Sequence, residues 1–264
     1  MTITQDPSAP LVAVVGATGR QGGSVVQALI ESDKAYRIRA FTRDGEKPEA
    51  RALAALGVDI VVLSLVVANK DAVFDAFRGA DYGFLVTNYW EHGDKEKETA
   101  EGKLLVDAAK AGGVKGIVWS GLPRVSEITS GKFTNVDHYE SKALVTAYGR
   151  GSGVPFVDVQ TGFYNSNFLI PLMGPMKQPD GSYAVSWPVK PTTRLPFIDI
   201  VRDYGLFVRR VLETDVFPDG EVVVTYGEVL SLAELAKQFS EGASASSQGE
   251  PIELTPCRQR RVRL

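Results

Sequence analysis

Short apolar runs alternate with amphipathic stretches over about the first 160 residues. Residues 11–15 form a β-branched run, Leu-Val-Ala-Val-Val, that stops at Gly16. Residues 23–32 then place Val25, Val26, Leu29 and Ile30 at helical spacing, which predicts an amphipathic helix. The alternation continues with strands predicted over 37–42, 58–63, 82–86, 116–120 and 155–159. Helices are predicted over 50–56, after Pro48 and before Gly57, over 71–78, closed by Gly79, over 95–110, ended by Gly112 and Gly113, and over 137–149. Strict βαβα order predicts an α/β fold, a Rossmann-like doubly wound parallel sheet with helices on both faces. The largely apolar strands agree, because such strands are buried on both sides.

After Gly162 the rhythm breaks. Prolines recur at 171, 175, 179, 188, 191 and 196, and only helices over 198–212 and 231–239 and a strand over 222–225 stand out. The predicted organisation is a dinucleotide-binding domain over 11–160 and a small, shortened substrate- or partner-side lobe over 161–240. From Glu241 the chain turns to Ser, Ala and Gly without apolar period and ends on a basic cluster, so 241–264 is expected to be a disordered tail.

The first strand runs directly into Gly16-Ala17-Thr18-Gly19-Arg20-Gln21-Gly22-Gly23. Glycines there permit positive φ and let backbone N–H groups approach a pyrophosphate at the helix N-terminus. The alternative is a plain tight βα turn, and the position after an N-terminal strand favours the cofactor. The end of the second strand separates NAD from NADP: an acidic residue bonds the ribose 2′-OH, whereas arginine accepts a 2′-phosphate. Here Thr42 is followed by Arg43 and Asp44, with Lys47 close behind. Arg43 and Lys47 point to NADP(H), the alternative being two solvated loop charges; Asp44 falls one place late and suits a turn.

Composition narrows the function classes. A net charge of −3 gives no global attraction to nucleic acid or to anionic membranes, so direct DNA binding is not expected. One cysteine, Cys257, allows no internal disulfide, and with His92 and His138 as the two histidines no metal site is expected. No apolar run approaches the ~20 residues of a membrane span. With no signal pattern at the start, the expected compartment is the cytoplasm, or the nucleus for a transcriptional regulator.

With these motifs in view the chain resembles the NmrA-like family of atypical short-chain dehydrogenases. The resemblance is carried by Gly16 to Gly23, Thr42-Arg43, Thr87-Asn88-Tyr89-Trp90-Glu91, Ser120-Gly121-Leu122, His138 to Lys142, and Gly162-Phe163-Tyr164-Asn165-Ser166-Asn167-Phe168, and it spans about 11–239. It implies NADP binding and, in the best-known members, redox sensing that regulates other proteins, fungal nitrogen regulators among them. By the same resemblance Thr87, Asn88 and Tyr89 lie along the cofactor, Lys142 reaches the nicotinamide ribose, and Tyr164, Asn165, Ser166 and Asn167 line the nicotinamide end. Two departures stand out. Leu63-Ser64-Leu65-Val66-Val67 replaces the family's acidic Gly-Asp step after the third strand, and the chain is shorter than is usual, its last twenty or so residues carrying no motif recognised from the family.

Ordinary short-chain dehydrogenases carry Tyr-x-x-x-Lys on a helix, with the tyrosine as acid. This chain reads His138-Tyr139-Glu140-Ser141-Lys142, so the place four before the lysine holds histidine and the tyrosine is turned by about 100°. Three readings follow: a cofactor-binding regulator that needs no proton donor, an NADPH-dependent reductase of a small carbonyl or enone metabolite using Lys142 or His138 as acid, and a cofactor-binding remnant. The partner is accordingly a regulatory protein or a small-molecule substrate.

Overall fold

A computed structural model describes residues 3–170 and 173–246. In chain order the elements are β1 (Leu11–Val14), α1 (Arg20–Ile30), β2 (Arg37–Thr42), α2 (Pro48–Ala55), β3 (Asp59–Val62), α3 (Lys70–Ala76), β4 (Tyr82–Leu85), α4 (Lys95–Gly112), β5 (Gly116–Trp119), α5 (Val125–Ile128), α6 (Asp137–Arg150) and β6 (Phe156–Thr161). They continue as β7 (Phe163–Tyr164), β8 (Met176–Lys177), β9 (Tyr183–Ala184), β10 (Arg194–Ile198), α7 (Tyr204–Leu212), β11 (Val222–Thr225), β12 (Glu228–Ser231) and α8 (Leu232–Ser246). Two compact units result: the chain up to Thr161 together with Ile200–Thr225, and Gly162–Asp199 together with the chain from Tyr226.

The first unit is the parallel sheet expected from the βαβα order. Its seven strands lie in the order β11-β6-β5-β4-β1-β2-β3, and every pairing is parallel. The chain leaves one edge at β3 and re-enters beside β1 as β4, so the order reverses between β1 and β4. That reversal opens a crevice at the carboxyl ends of the strands, where open α/β sheets bind ligands. β1 and β5 are buried along their whole lengths, and Phe84, Ile117, Trp119 and Phe156 are fully buried in the layers around them. Each such side chain contributes about 1.5–3 kcal/mol through apolar area removed from water.

Several boundaries differ from the sequence expectation. α1 begins at Arg20 rather than at residue 23, because the glycine run turns the chain early enough for Arg20, Gln21 and Gly22 to form the first helical turn. The predicted helix over 198–212 gives way to β10 up to Ile198, and helix begins only at Tyr204. β10 was hidden by Pro196, yet it pairs with both β12 and β7. The lobe expected as one stretch over 161–240 is interrupted, because α7 and β11 belong to the first unit. β11 extends the parallel sheet beside β6 through a Val222↔Asp158 register.

The second unit, taken by itself, holds the mixed three-stranded sheet β12-β10-β7, the hairpin β8-β9 and α8. Phe163, Phe168, Trp187 and Phe197 pack their rings together, with Phe168 stacked on Trp187 at 5.5 Å. Ser231 and Glu234 form a capping box at the start of α8: the Ser231 N–H donates to Glu234 at 2.7 Å, and the Glu234 N–H donates to Ser231 Oγ at 3.2 Å. α8 runs through Ser246, so the irregular tail expected from Glu241 is helical as far as residue 246, where Ala243 and Ala245 favour helix. The rest of that expected tail, 247–264, lies outside the described residues.

Packing of α7 on α1 inside the first unit turns on one glycine. A Cβ on Gly205 would lie 1.9 Å from the Ser24 carbonyl oxygen, and the Gly205 N–H donates to Ser24 Oγ at 2.8 Å. Glycine-to-alanine in a helix interior normally gains about 1 kcal/mol. Gly205→Ala is expected instead to destabilise by about 1–3 kcal/mol, the cost of forcing packed backbones apart. Urea unfolding checks this; unchanged or increased stability would contradict the close crossing.

Candidate functional site

The crevice begins where β1 ends. Gly16 sits at φ +67, in the left-handed region, and the Gly19 N–H donates to the Gly16 carbonyl at 2.8 Å. A Cβ on Gly22 would fall 2.3 Å from the Gly16 oxygen and 2.6 Å from the Val15 oxygen. Gly22 therefore lets α1 rest on the turn, while Gly19, whose Cβ would lie 3.2 Å from the Gly16 oxygen, leaves the helix mouth bare. Gly19 caps α1 without any side-chain hydrogen bond. First-turn N–H groups of a helix lack intrahelical acceptors, and they carry the positive end of the macrodipole. Bare backbone at a helix N-terminus matches what a pyrophosphate requires. The Ala17 N–H donates to the Phe41 carbonyl at 3.3 Å, and Thr18 Oγ1 lies 3.4 Å from Thr42 Oγ1, which ties the loop to the end of β2.

Beyond β2 the charges expected to meet a 2′-phosphate are partly committed. Arg43 is exposed and forms an ion pair with Glu91, which belongs to a 3-10 turn over Tyr89–Glu91 after β4. Lys47 is exposed at the start of α2. The Asp44 carboxylate accepts the Glu46 N–H at 2.9 Å, a local turn bond, so it is occupied within its own loop. After β3, the Ser64 carbonyl accepts from the Asn69 side chain at 2.8 Å.

Lys142, on α6, points at the end of β4. Its ammonium donates to the Thr87 carbonyl at 2.9 Å and to Thr87 Oγ1 at 3.0 Å, and it pairs with Glu98 Oε1 at 3.0 Å. An ammonium has three protons, and these three partners use them all. Glu98, on α4, is fully buried; it also accepts from Thr87 Oγ1 at 2.7 Å and from the Ser141 hydroxyl. Trp119 lies beneath the charge, with its ring 5.4 Å from Lys142 Nζ. Burial pushes the Lys142 ammonium below the ordinary lysine value, and the Glu98 carboxylate opposes that fall.

Around this charge stand four rings. His138 is half-buried, with centroids 5.7 Å from Tyr89, 5.0 Å from Trp90 and 4.8 Å from Tyr139. Burial lowers the His138 value, the Lys142 charge lowers it further against the pull of Glu98, and so the imidazole is mainly neutral at pH 7. Burial raises the Tyr139 phenol, which stays protonated. Gln21, in the first turn of α1, donates from Nε2 to Ser120 Oγ at 2.7 Å, joining the α1 mouth to the end of β5.

Among the sequence candidates, the first unit thus gathers Gly16, Ala17, Thr18, Gly19, Arg20, Gln21, Gly22, Arg43, Lys47, Thr87, Asn88, Tyr89, His138 and Lys142 around the ends of β1, β2 and β4. Tyr164, Asn165, Ser166 and Asn167 lie in the second unit, Tyr164 closing β7 and the others opening a 3-10 turn over Asn165–Leu169. Glu98 was missed by the sequence reading. It sits on the buried stripe of α4 with Gly102, Leu105 and Ala109, at helical spacings of four, three and four, and an acidic residue on such a stripe marks a buried ion pair.

Residues 8–255 match the sequence profile of the NmrA-like family. An NmrA-like family domain-containing oxidoreductase, FrzB, from Cladobotryum sp is 29% identical over 92% of this chain and 76% of its own. The nitrogen metabolite repression protein nmr of Neurospora crassa is 28% identical over 91% of this chain and 53% of its own. Crystal structures of Nmra, a negative transcriptional regulator, are similar at 26% identity over 97% of this chain and 77% of that one. The TM-score is 0.81 for its complex with NAD and 0.81 for a double mutant; its complex with NADP gives 0.80.

Removing one member of the buried pair leaves the other charge stranded. Glu98→Leu is expected to destabilise by about 3 kcal/mol, the lower end for a broken buried ion pair because Lys142 keeps 12% exposure. The double variant Glu98→Leu with Lys142→Met should recover most of that loss. Denaturant unfolding of all three proteins decides it, and a double variant less stable than the single one would refute the buried-charge account.

Proposed function

The chain belongs to the NmrA-like family, and we propose that it is an NADP(H)-binding regulator of the redox-sensing kind, taking up the dinucleotide without a dehydrogenase reaction. The glycine cradle fits a dinucleotide: Gly22 and Gly16 bring bare backbone together at an uncapped helix mouth. In this reading the loop from Gly16 to Gly22 holds the pyrophosphate, Arg43 and Lys47 take the 2′-phosphate, and Thr87, Asn88 and Tyr89 flank the cofactor at the end of β4. Tyr164, Asn165, Ser166 and Asn167 belong to the nicotinamide end by family resemblance. The bound group would supply a hydride donor or acceptor.

One observation carries the regulator reading. The three Lys142 protons are held by Thr87 and Glu98, so the lysine is a fixed charge rather than a free acid. Neither neighbour replaces it: burial lowers the His138 imidazole and so disfavours its acid form, and burial raises the Tyr139 phenol, a weaker acid that stands three places from the lysine instead of four. Lys142 then serves binding, at the ribose end by family resemblance, and fixes Thr87 at the end of β4. Relatives named as oxidoreductases favour a second reading, an NADPH-dependent reductase of a small carbonyl or enone in which Lys142 or His138 gives the proton. The partner is a regulatory protein in the first reading and a metabolite in the second.

Calorimetric titration is expected to show tighter binding of NADPH than of NADH. Arg43→Ala should weaken NADPH by about 1.5–3 kcal/mol, the scale of a charge-assisted hydrogen bond, and leave NADH nearly unchanged. Equal affinities in the wild type would contradict the assignment of the 2′-phosphate to Arg43. NADPH oxidation over a panel of carbonyls and enones should not rise above the blank. Turnover that His138→Ala abolishes, with cofactor affinity retained, would establish the reductase instead.

A further inference from the structure

Arg43 already has an anion. Glu91 holds the guanidinium from the turn that follows β4, and both side chains are exposed, Arg43 at 59% and Glu91 at 45%. The neighbouring loop adds little free positive charge: Arg51 is paired with Glu46, and Asp44 and Glu49 flank Lys47 in sequence. A 2′-phosphate brought to Arg43 therefore meets a guanidinium whose Nη1 already holds a carboxylate.

We propose that Glu91 is a specificity-determining residue, an internal competitor that sets how strongly the protein distinguishes NADP from NAD. The inference rests on the reading of Arg43 as the 2′-phosphate ligand and adds what that ligand must give up. NAD, which ends in a 2′-OH, leaves the Arg43–Glu91 pair in place. NADP exchanges it: the phosphate, with about −1.5 to −2 charges at neutral pH, takes the guanidinium, and the Glu91 carboxylate is left beside it. Like charges at that distance repel, so the turn carrying Glu91 has reason to move. Exposed ion pairs are weak, which makes the exchange possible at ordinary cofactor concentrations.

The turn carries its own reporter. Trp90, next to Glu91, is 76% exposed, and its ring lies 5.2 Å from Tyr89 and 5.0 Å from His138. Release of Glu91 shifts the backbone that holds this ring, so NADP alters the surface beside Trp90 in a way that NAD does not. A regulator that distinguishes the two dinucleotides has here a physical route from the 2′-phosphate to an exposed aromatic side chain.

The test uses the whole protein, Glu91→Gln and oxidised cofactors. Calorimetry should show NADP⁺ binding about 3- to 10-fold tighter in Glu91→Gln than in the wild type, the range of one exposed ion pair plus the removed repulsion, with NAD⁺ affinity unchanged. Tryptophan emission of the wild type should respond differently to NADP⁺ and to NAD⁺, and Trp90→Phe should remove the difference. Wild-type binding with an unchanged NADP⁺ to NAD⁺ ratio in Glu91→Gln would overturn the competitor role while leaving the cofactor reading intact. Binding of neither dinucleotide by the wild type would overturn both.

Discussion

The crevice exists because α1 can touch the turn that leads into it. The 2.3 Å separation between the Gly16 oxygen and the place where a Cβ on Gly22 would sit leaves no room for a side chain. That contact sets where α1 starts, hence where its unpaired N–H groups point, and it holds the loop level with the end of β2 through Ala17 and Thr18. Position in the sheet does the rest. β1 and β4 are neighbours across the reversal of strand order, so the α1 mouth and the Thr87 to Glu91 segment stand side by side without any further device.

Around that constraint the side chains divide into fixed and exchangeable charges. Glu98 and Lys142 are fixed: the carboxylate is buried, the ammonium is fully bonded, and separating them would leave a charge in a poorly solvated place. Such a pair orients Thr87 at the end of β4 while adding no net charge to the crevice. Arg43 and Glu91 are exchangeable, being exposed and open to competition by a stronger anion.

Much of this was legible in the sequence for physical reasons. Buried parallel strands need apolar, β-branched runs, and so β1, β2, β4, β5 and β6 were visible, as was the glycine turn after β1. β10 was not, because Pro196 argues against a strand paired on both sides. The return of α7 and β11 to the first unit could not be read either, since nothing local in Val222–Thr225 says which sheet it joins. At the site, residue types announced Arg43 and Lys142, but not their partners. Glu91 lies far from Arg43 along the chain, and Glu98 resembles any solvated helix charge until the buried stripe of α4 is traced.

Amide hydrogen exchange with and without saturating NADP⁺ tests the central claim most directly, because it asks which backbone the dinucleotide covers. Slowed exchange is expected over residues 16–22 and 43–47 and at the end of β4 around 87–89, all in the first unit at the reversal of strand order. No slowing over 16–22, or protection confined to residues away from that crevice, would contradict the assignment of the glycine turn as the pyrophosphate seat.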